Sequence, residues 1–252
     1  MLSPGTGVSL GTLTLELPES AQPLGTRVLA GLVHMAEAAA ASMQKTACGQ
    51  PVALLGRLRG TGRGVSSSAL FDALERDHPR ELATPFEGSE LVSGAVWIAS
   101  ELLGKRCETG VAKLRWAAGA RDLPMHVHDH SDRLIIVRSG RGYFHVTDVP
   151  IESFTGTRVR SIPARERDVF LFSRGVVHTF STEQEPMVLL SCQLPFLPFD
   201  DTRQYRLPKV RWVAQEHPTD ANPRVACDPA WSVIGAQPRR KWWEGKAIPP
   251  LV

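Results

Sequence analysis

The chain has 252 residues, 42% hydrophobic and 22% charged, with 21 Gly and 19 Pro. That apolar content supports a real core and excludes a wholly disordered chain. A net charge of +3 is too mild to argue for a nucleic-acid partner, and no apolar run approaches the ~18 residues of a membrane span. The start, MLSPGTGVSL, has neither a basic region nor an apolar one of the secretory kind. Cys48, Cys107, Cys192 and Cys227 lie far apart with no C-x-x-C, which fits reduced thiols and a cytoplasmic setting.

Charge is uneven along the chain. Residues 1–90 hold 7 Lys/Arg against 9 Asp/Glu, residues 91–200 hold 13 against 12, and residues 201–252 hold 9 against 5. The text divides at the same places: a mixed, partly helical segment (1–90), a β-rich unit (91–200) and an irregular C-terminal extension (201–252).

In the first segment VSLGTLTLEL (8–17) alternates and predicts a strand. From Gly25 to Lys45, Leu29, Leu32, Val33 and Ala36 recur at helical spacing. A second helix is expected from about Ser67 to Asp77, with Ser66–Ser68 as caps. GRLRGTGRG, between them, reads as a Gly/Arg loop. Its Arg57, Arg59 and Arg63 are expected to be solvated rather than to grip phosphate.

After Gly94, short β-rich runs follow one another: AVWIASELL, VAKLRWAAG, RLIIVRSG, GYFHVTD, DVFLFS, VVHTFST and PMVLLSCQL. Many short strands at about ten-residue spacing predict a sandwich or small barrel. Val169 to Phe172 is apolar on both faces, as a strand between two layers would be. The last stretch carries seven Pro and four of the six Trp, namely Trp212, Trp231, Trp242 and Trp243. Rings of that size are costly to leave in water, so this tail is expected to drape over the barrel or a partner subunit. That reading is preferred to a nucleic-acid strip built from Arg239, Arg240, Lys241, Trp242 and Trp243.

Four of the eight histidines fall between positions 126 and 145: His126, His128, His130 and His145. In an extended chain residues two apart share a face, so His126 and His128 point the same way. A third imidazole from a neighbouring strand would complete three nitrogen donors for Fe, Zn, Mn, Ni or Cu. His178, in RDVFLFSRGVVHTF, is the candidate.

These segments resemble the paired motifs of the cupin superfamily. Gly119, His126-Val-His128, then Asp132 or Arg133, and Gly140 stand for the first motif. The stretch from Arg167 to His178, with Gly175 two residues before His178, stands for the second; the motif's leading Gly is Arg167 here, its Pro is Ser173 and its trailing Asn is Thr182. The resemblance covers about residues 91–200. It implies a mainly β protein, a jelly-roll β-barrel, flanked by the partly helical N-terminal extension and the Trp/Pro-rich tail. It further implies a metal held inside the barrel by His126, His128 and His178, often with a carboxylate.

The carboxylate is where the sequence departs from the pattern. A three-residue gap after His128 puts Asp132 in that place, giving three His and one carboxylate. A four-residue gap, which keeps six residues before Gly140, puts Arg133 there, leaving a neutral three-His shell similar to that of thiol dioxygenases. Arg133 would then pair with a substrate carboxylate. Tyr143 and His145, on the following strand, are candidates to line the cavity as catalytic or proton-carrying groups. His130 is expected to be exposed at the strand end.

The expected function is that of an Fe(II)-dependent oxygenase acting on a small anionic organic substrate. Zn, Mn or Ni are the other metals the shell admits. A cupin-type ligand or metal sensor in transcriptional regulation, or a non-redox isomerase-like enzyme, are the alternatives. A homodimer is expected because barrels of this superfamily commonly pair.

Overall fold

The computed structural model describes residues 11–45, 52–61, 64–76, 80–81, 91–104, 108–121, 123–198, 201, 203–210, 212–214 and 226–227. The strands are β1 (Gly11–Thr14), β2 (Val52–Gly60), β3 (Arg80–Glu81), β4 (Leu91–Ile98), β5 (Gly110–Trp116), β6 (Asp132–Ser139), β7 (Arg141–Thr147), β8 (Arg160–Arg165), β9 (Asp168–Phe172), β10 (Val177–Thr182), β11 (Met187–Leu194), β12 (Trp212–Val213) and β13 (Ala226–Cys227). The helices are α1 (Leu24–Lys45), α2 (Ser67–Arg76) and α3 (Ala99–Leu103). None is long and apolar enough to cross a membrane.

Eight strands form one sheet in the order β1-β2-β9-β6-β11-β5-β4-β3, and β10-β7-β8 form a second. The two sheets face each other across an apolar interior. Ile135, Val137, Phe170, Phe172, Met187 and Leu189 of the large sheet meet Phe144, Val146, Ala164 and Phe180 of the small one. The rings interlock edge to face, Phe144 on Phe170 at 4.8 Å and Trp116 on Phe180 at 4.7 Å between centroids. On the outer face of the large sheet, Leu134, Ile136, Val169, Leu171, Leu190 and Cys192 pack against Leu29, Leu32 and Ala36 of α1 and Leu70, Phe71 and Leu74 of α2. The central strands are thus buried on both faces, which is why DVFLFS reads as continuous apolar text.

A third cluster seals the outer face of the small sheet. Met125, Val127, Val159 and Val177 pack there with Trp212 and Ala214. The expectation that the C-terminal stretch drapes over the barrel is met as far as Ala214. Trp231, Trp242 and Trp243 lie outside the described residues, as does Cys48.

Three sequence expectations change. The Gly/Arg stretch is not a loop up to Gly60. It is most of β2, pairing antiparallel with β9 and parallel with β1. Leu58 is fully buried on that strand, while Arg57 and Arg59 are exposed, as expected, with Arg57 pairing with Asp168 at 3.0 Å. Residues 1–90 supply β1, β2 and β3 to the large sheet and two helices to its outer face, so residue 90 marks no structural boundary. The AVWIASELL run splits, ending as α3 with a left-handed Gly104 (φ 63°) at its C-terminus. The helix ends were closer: α2 starts as read, with Ser66 Oγ accepting from the Ala69 amide at 3.3 Å.

Candidate metal centre

His126 and His128 sit on an extended segment clipped between two neighbours. On one side His126 and His178 exchange backbone hydrogen bonds, each N–H to the other's carbonyl at 2.9 Å. On the other, Val127 and Arg206 do the same at 2.9 and 3.0 Å. Alternation does the rest. Met125 and Val127 turn to the outer apolar cluster, so His126 and His128 must turn inward. His178 arrives beside them because Val177 faces out and Phe180 in on β10.

The three rings converge. Centroids lie 4.5 Å apart for His126 and His178, 4.9 Å for His126 and His128, and 5.2 Å for His128 and His178. One nitrogen from each lies within 4.8 Å of the others, and among the described residues this is the one cluster of metal-ligating side chains. Every ring is held from behind through Nδ1: to Pro124 O at 2.9 Å for His126, Gln204 O at 2.7 Å for His128 and Val176 O at 2.9 Å for His178. A carbonyl can only accept, so each Nδ1 carries the proton and each Nε2 the lone pair. Backbone carbonyls fixing the tautomer and orientation in this way are what a histidine metal site requires.

Electrostatics agree. Burial, together with neighbouring positive groups, holds His126 and His128 well below the usual histidine range, and burial takes His178 down to about 4. All three are therefore neutral donors at physiological pH. Three imidazoles at this spacing fit Fe, Zn, Mn, Ni or Cu in the divalent state.

Arg133 is inside, and Asp132 is not. On β6, Arg133 shares its face with Ile135 and Val137, while Asp132 shares the opposite face with Leu134 and Ile136. Asp132 accepts from the Arg174 amide at 2.7 Å and pairs with its guanidinium at 2.8 Å. It does not join the imidazole cluster, and the three-His-one-carboxylate shell expected with it is replaced by three His. Arg133 is 3% exposed, and its Nη2 donates to Gln204 Oε1. The same Nη2 lies 3.1 Å from His128 Nδ1. That contact is not a hydrogen bond, because Nδ1 already donates to Gln204 O. Burial lowers the Arg133 pKa only to about 10, so the guanidinium stays charged. Its Nε–H has no partner.

Tyr143 and His145 are also misplaced by the sequence reading. The inward positions on β7 belong to Phe144 and Val146. His145 faces the other way, fully buried under Trp212 at 4.7 Å, its two nitrogens bonded to Ser161 and Ser181 hydroxyls at 2.8 Å. Tyr143 stacks beside it at 6.3 Å. His130 is exposed, as expected.

Two site residues had no sequence signal. Gln204 is fully buried and holds both His128, through its carbonyl, and Arg133, through its side chain, while its Nε2 donates to Leu197 O at 2.8 Å. Tyr205 places its ring 5.4 Å from His126 and 5.1 Å from His128, and burial pushes its phenol far up. Both lie in the stretch that shows no period.

The two facing sheets, with three inward histidines at one end, form the two-layer β-barrel that the sequence motifs implied, with a buried three-histidine cluster that could hold a metal ion. No protein-family model matches the sequence, and none of the curated proteins does. Solved structures are similar to about half of the chain. An oxalate oxidase in complex with glycolate is 17% identical over 48% of this chain and 57% of its own, with a TM-score of 0.34. An oxalate decarboxylase from Lactobacillus farciminis is 17% identical over 50% of this chain and 33% of its own, TM-score 0.35. The capsular polysaccharide assembling protein CapF of Staphylococcus aureus is 12% identical over 52% and 34%, TM-score 0.39. The chain spans little more than half the length of the oxalate oxidase it matches.

Proposed function

We propose that this protein binds a divalent first-row metal through His126, His128 and His178 and uses it, as Fe(II), to oxidise a small anionic organic substrate. The observation that carries the reading is the combination of three carbonyl-anchored imidazoles with a buried arginine bonded to no carboxylate. Bound there, Fe(II) would supply open coordination positions for an oxidant and an organic ligand.

The chain's own residues do the remainder. The shell is neutral, so nothing in it offsets the charge of Arg133. An isolated buried charge is costly unless a counter-ion reaches it. An anionic ligand would supply that counter-ion, its carboxylate taken by the fork of the guanidinium. Gln204 fixes the direction of that fork and the ring of His128 together. Tyr205, kept as the neutral phenol by burial, sets its ring against His126 and His128.

Elemental analysis of the purified protein is expected to find about one metal per chain. His128→Ala or His178→Ala should lose it while circular dichroism stays that of the folded protein. Substoichiometric metal after Fe(II), Mn(II) and Zn(II) have each been offered would refute the reading. Arg133→Leu should keep the metal and weaken carboxylate binding by about 2 kcal/mol or more, the range for removing one side of a buried charged hydrogen bond. Oxygen uptake with a panel of small acids then tests the oxidative step.

A further inference from the structure

Resting on that reading of the site, we infer that Gln193 selects an acid that carries a hydroxyl group. Gln193 is 1% exposed and stands directly opposite Arg133 in the β11–β6 ladder. It shares the inward face of β11 with Met187 and Leu189, and Arg133 in turn stands opposite Phe172 on β9. Gln193, Arg133 and Phe172 thus form a row on the inward face of the large sheet. The Phe172 ring lies 5.0 Å from that of His178, so the row is level with the histidine cluster.

Gln193 Oε1 is buried without a hydrogen-bond partner, and so is Arg133 Nε. The guanidinium has only donors, so of the two ends of the neighbouring amide the oxygen is the one compatible with it. Side chains directly opposite on paired strands have Cβ atoms only about 5 Å apart. An acceptor and a donor on directly opposed residues, both buried and neither with a hydrogen-bond partner, call for a guest that offers both kinds of group. A carboxylate answers Arg133. The oxygen of Gln193 asks for an O–H or N–H beside that carboxylate. An ammonium would add a third positive centre to a cavity that already holds the arginine and the metal. A neutral hydroxyl does not, so the ligand class is a small hydroxy acid rather than an amino acid.

Titration calorimetry on the zinc-loaded protein tests this with lactate, propionate and alanine, and with malate and succinate. The wild type should bind each hydroxy acid at least about tenfold tighter than its deoxy partner, and alanine more weakly than lactate. Part of that preference could come from the hydroxyl touching the metal, so the decisive quantity is its change on mutation. Gln193→Leu should cut the preference about fivefold or more at unchanged zinc content, and raise the melting temperature of the ligand-free protein by removing an unpartnered buried polar group. Gln193→Met carries the same comparison should the leucine variant not fold. Gln193→Glu, which sets a carboxylate against Arg133, should lose both acids. An unchanged preference in the apolar variants, with Arg133→Leu still losing both acids, would overturn the role of Gln193 alone and leave its oxygen to a trapped water. Binding of no acid by the wild type would overturn the anionic reading of the site and this inference with it.

Discussion

At the scale of single residues, His145 shows how a histidine in a metal-like cluster of sequence becomes something else. Both its nitrogens are committed to serine hydroxyls, and burial brings its pKa down to about 3. Unfolded, it titrates near ~6.5. Between these values the unfolded chain binds a proton that the folded chain cannot, so stability falls as pH drops from about 6.5 toward 3. The largest slope is ~1.4 kcal/mol per pH unit for one such group. Urea midpoints of the wild type and His145→Gln, measured at pH 7 and pH 5, are expected to converge at the lower pH. A constant gap would show that His145 is not buried neutral. Asp132→Ala belongs to the same scale. It removes the acceptor of the Arg174 amide and is expected to cost about 1 kcal/mol with metal content unchanged.

At the scale of elements, the turn joining β6 to β7 depends on a glycine. Gly140 stands there at φ 80°, and a Cβ on it would come within 2.2 Å of the Pro186 carbonyl oxygen. Left-handed backbone costs a non-glycine residue about 1–2 kcal/mol before any clash. Gly140→Ala is therefore expected to destabilise by about 2 kcal/mol or more, read as a drop in the denaturant midpoint at unchanged slope. Arg167, in the turn between β8 and β9, holds φ 74° where the cupin pattern has glycine. The backbone there keeps the glycine conformation, with its amide donating to Val137 O at 2.7 Å and its carbonyl accepting from Leu58 N at 2.8 Å. Two strands in register outweigh the preference of one side chain.

At the scale of the whole molecule, the segment after β11 is part of the site. Gln204 and Tyr205 wall the histidine cluster, Arg206 bridges to Val127 and pairs with Asp129 at 2.6 Å, and Trp212 covers His145. A chain ending at Leu207 keeps the wall and loses the cover. It is expected to unfold at lower temperature, by the ~3 kcal/mol or more of a buried tryptophan, while still binding zinc. A chain ending at Asp201 should bind zinc more weakly as well, because the carbonyl that orients His128 is gone. Equal melting temperatures for the full chain and the Leu207 truncation would contradict the packing of Trp212.

The sequence by itself determined the barrel's strand rhythm, the inward pairing of His126 with His128, and the choice of His178. The first two rest on a period of two that a single strand carries within itself, with Met125 and Val127 alternating against the imidazoles; His178 came from the spacing of the second motif, with Gly175 and a two-residue gap before it. It could not determine whether Asp132 or Arg133 faces the cavity. The reason lies in β6 itself: Leu134, Ile135, Ile136 and Val137 are all buried, two against the helices and two in the barrel. A strand covered on both sides loses the alternation that would mark its inner face, and GYFHV on β7 has the same ambiguity. Only the tertiary structure decided it, because the helices α1 and α2, distant in sequence, choose which side of the large sheet is outside. The same holds for Gln204, Tyr205 and Gln193. Their place in the site comes from a strand register and a returning chain end, contacts that span many tens of residues and leave no local pattern.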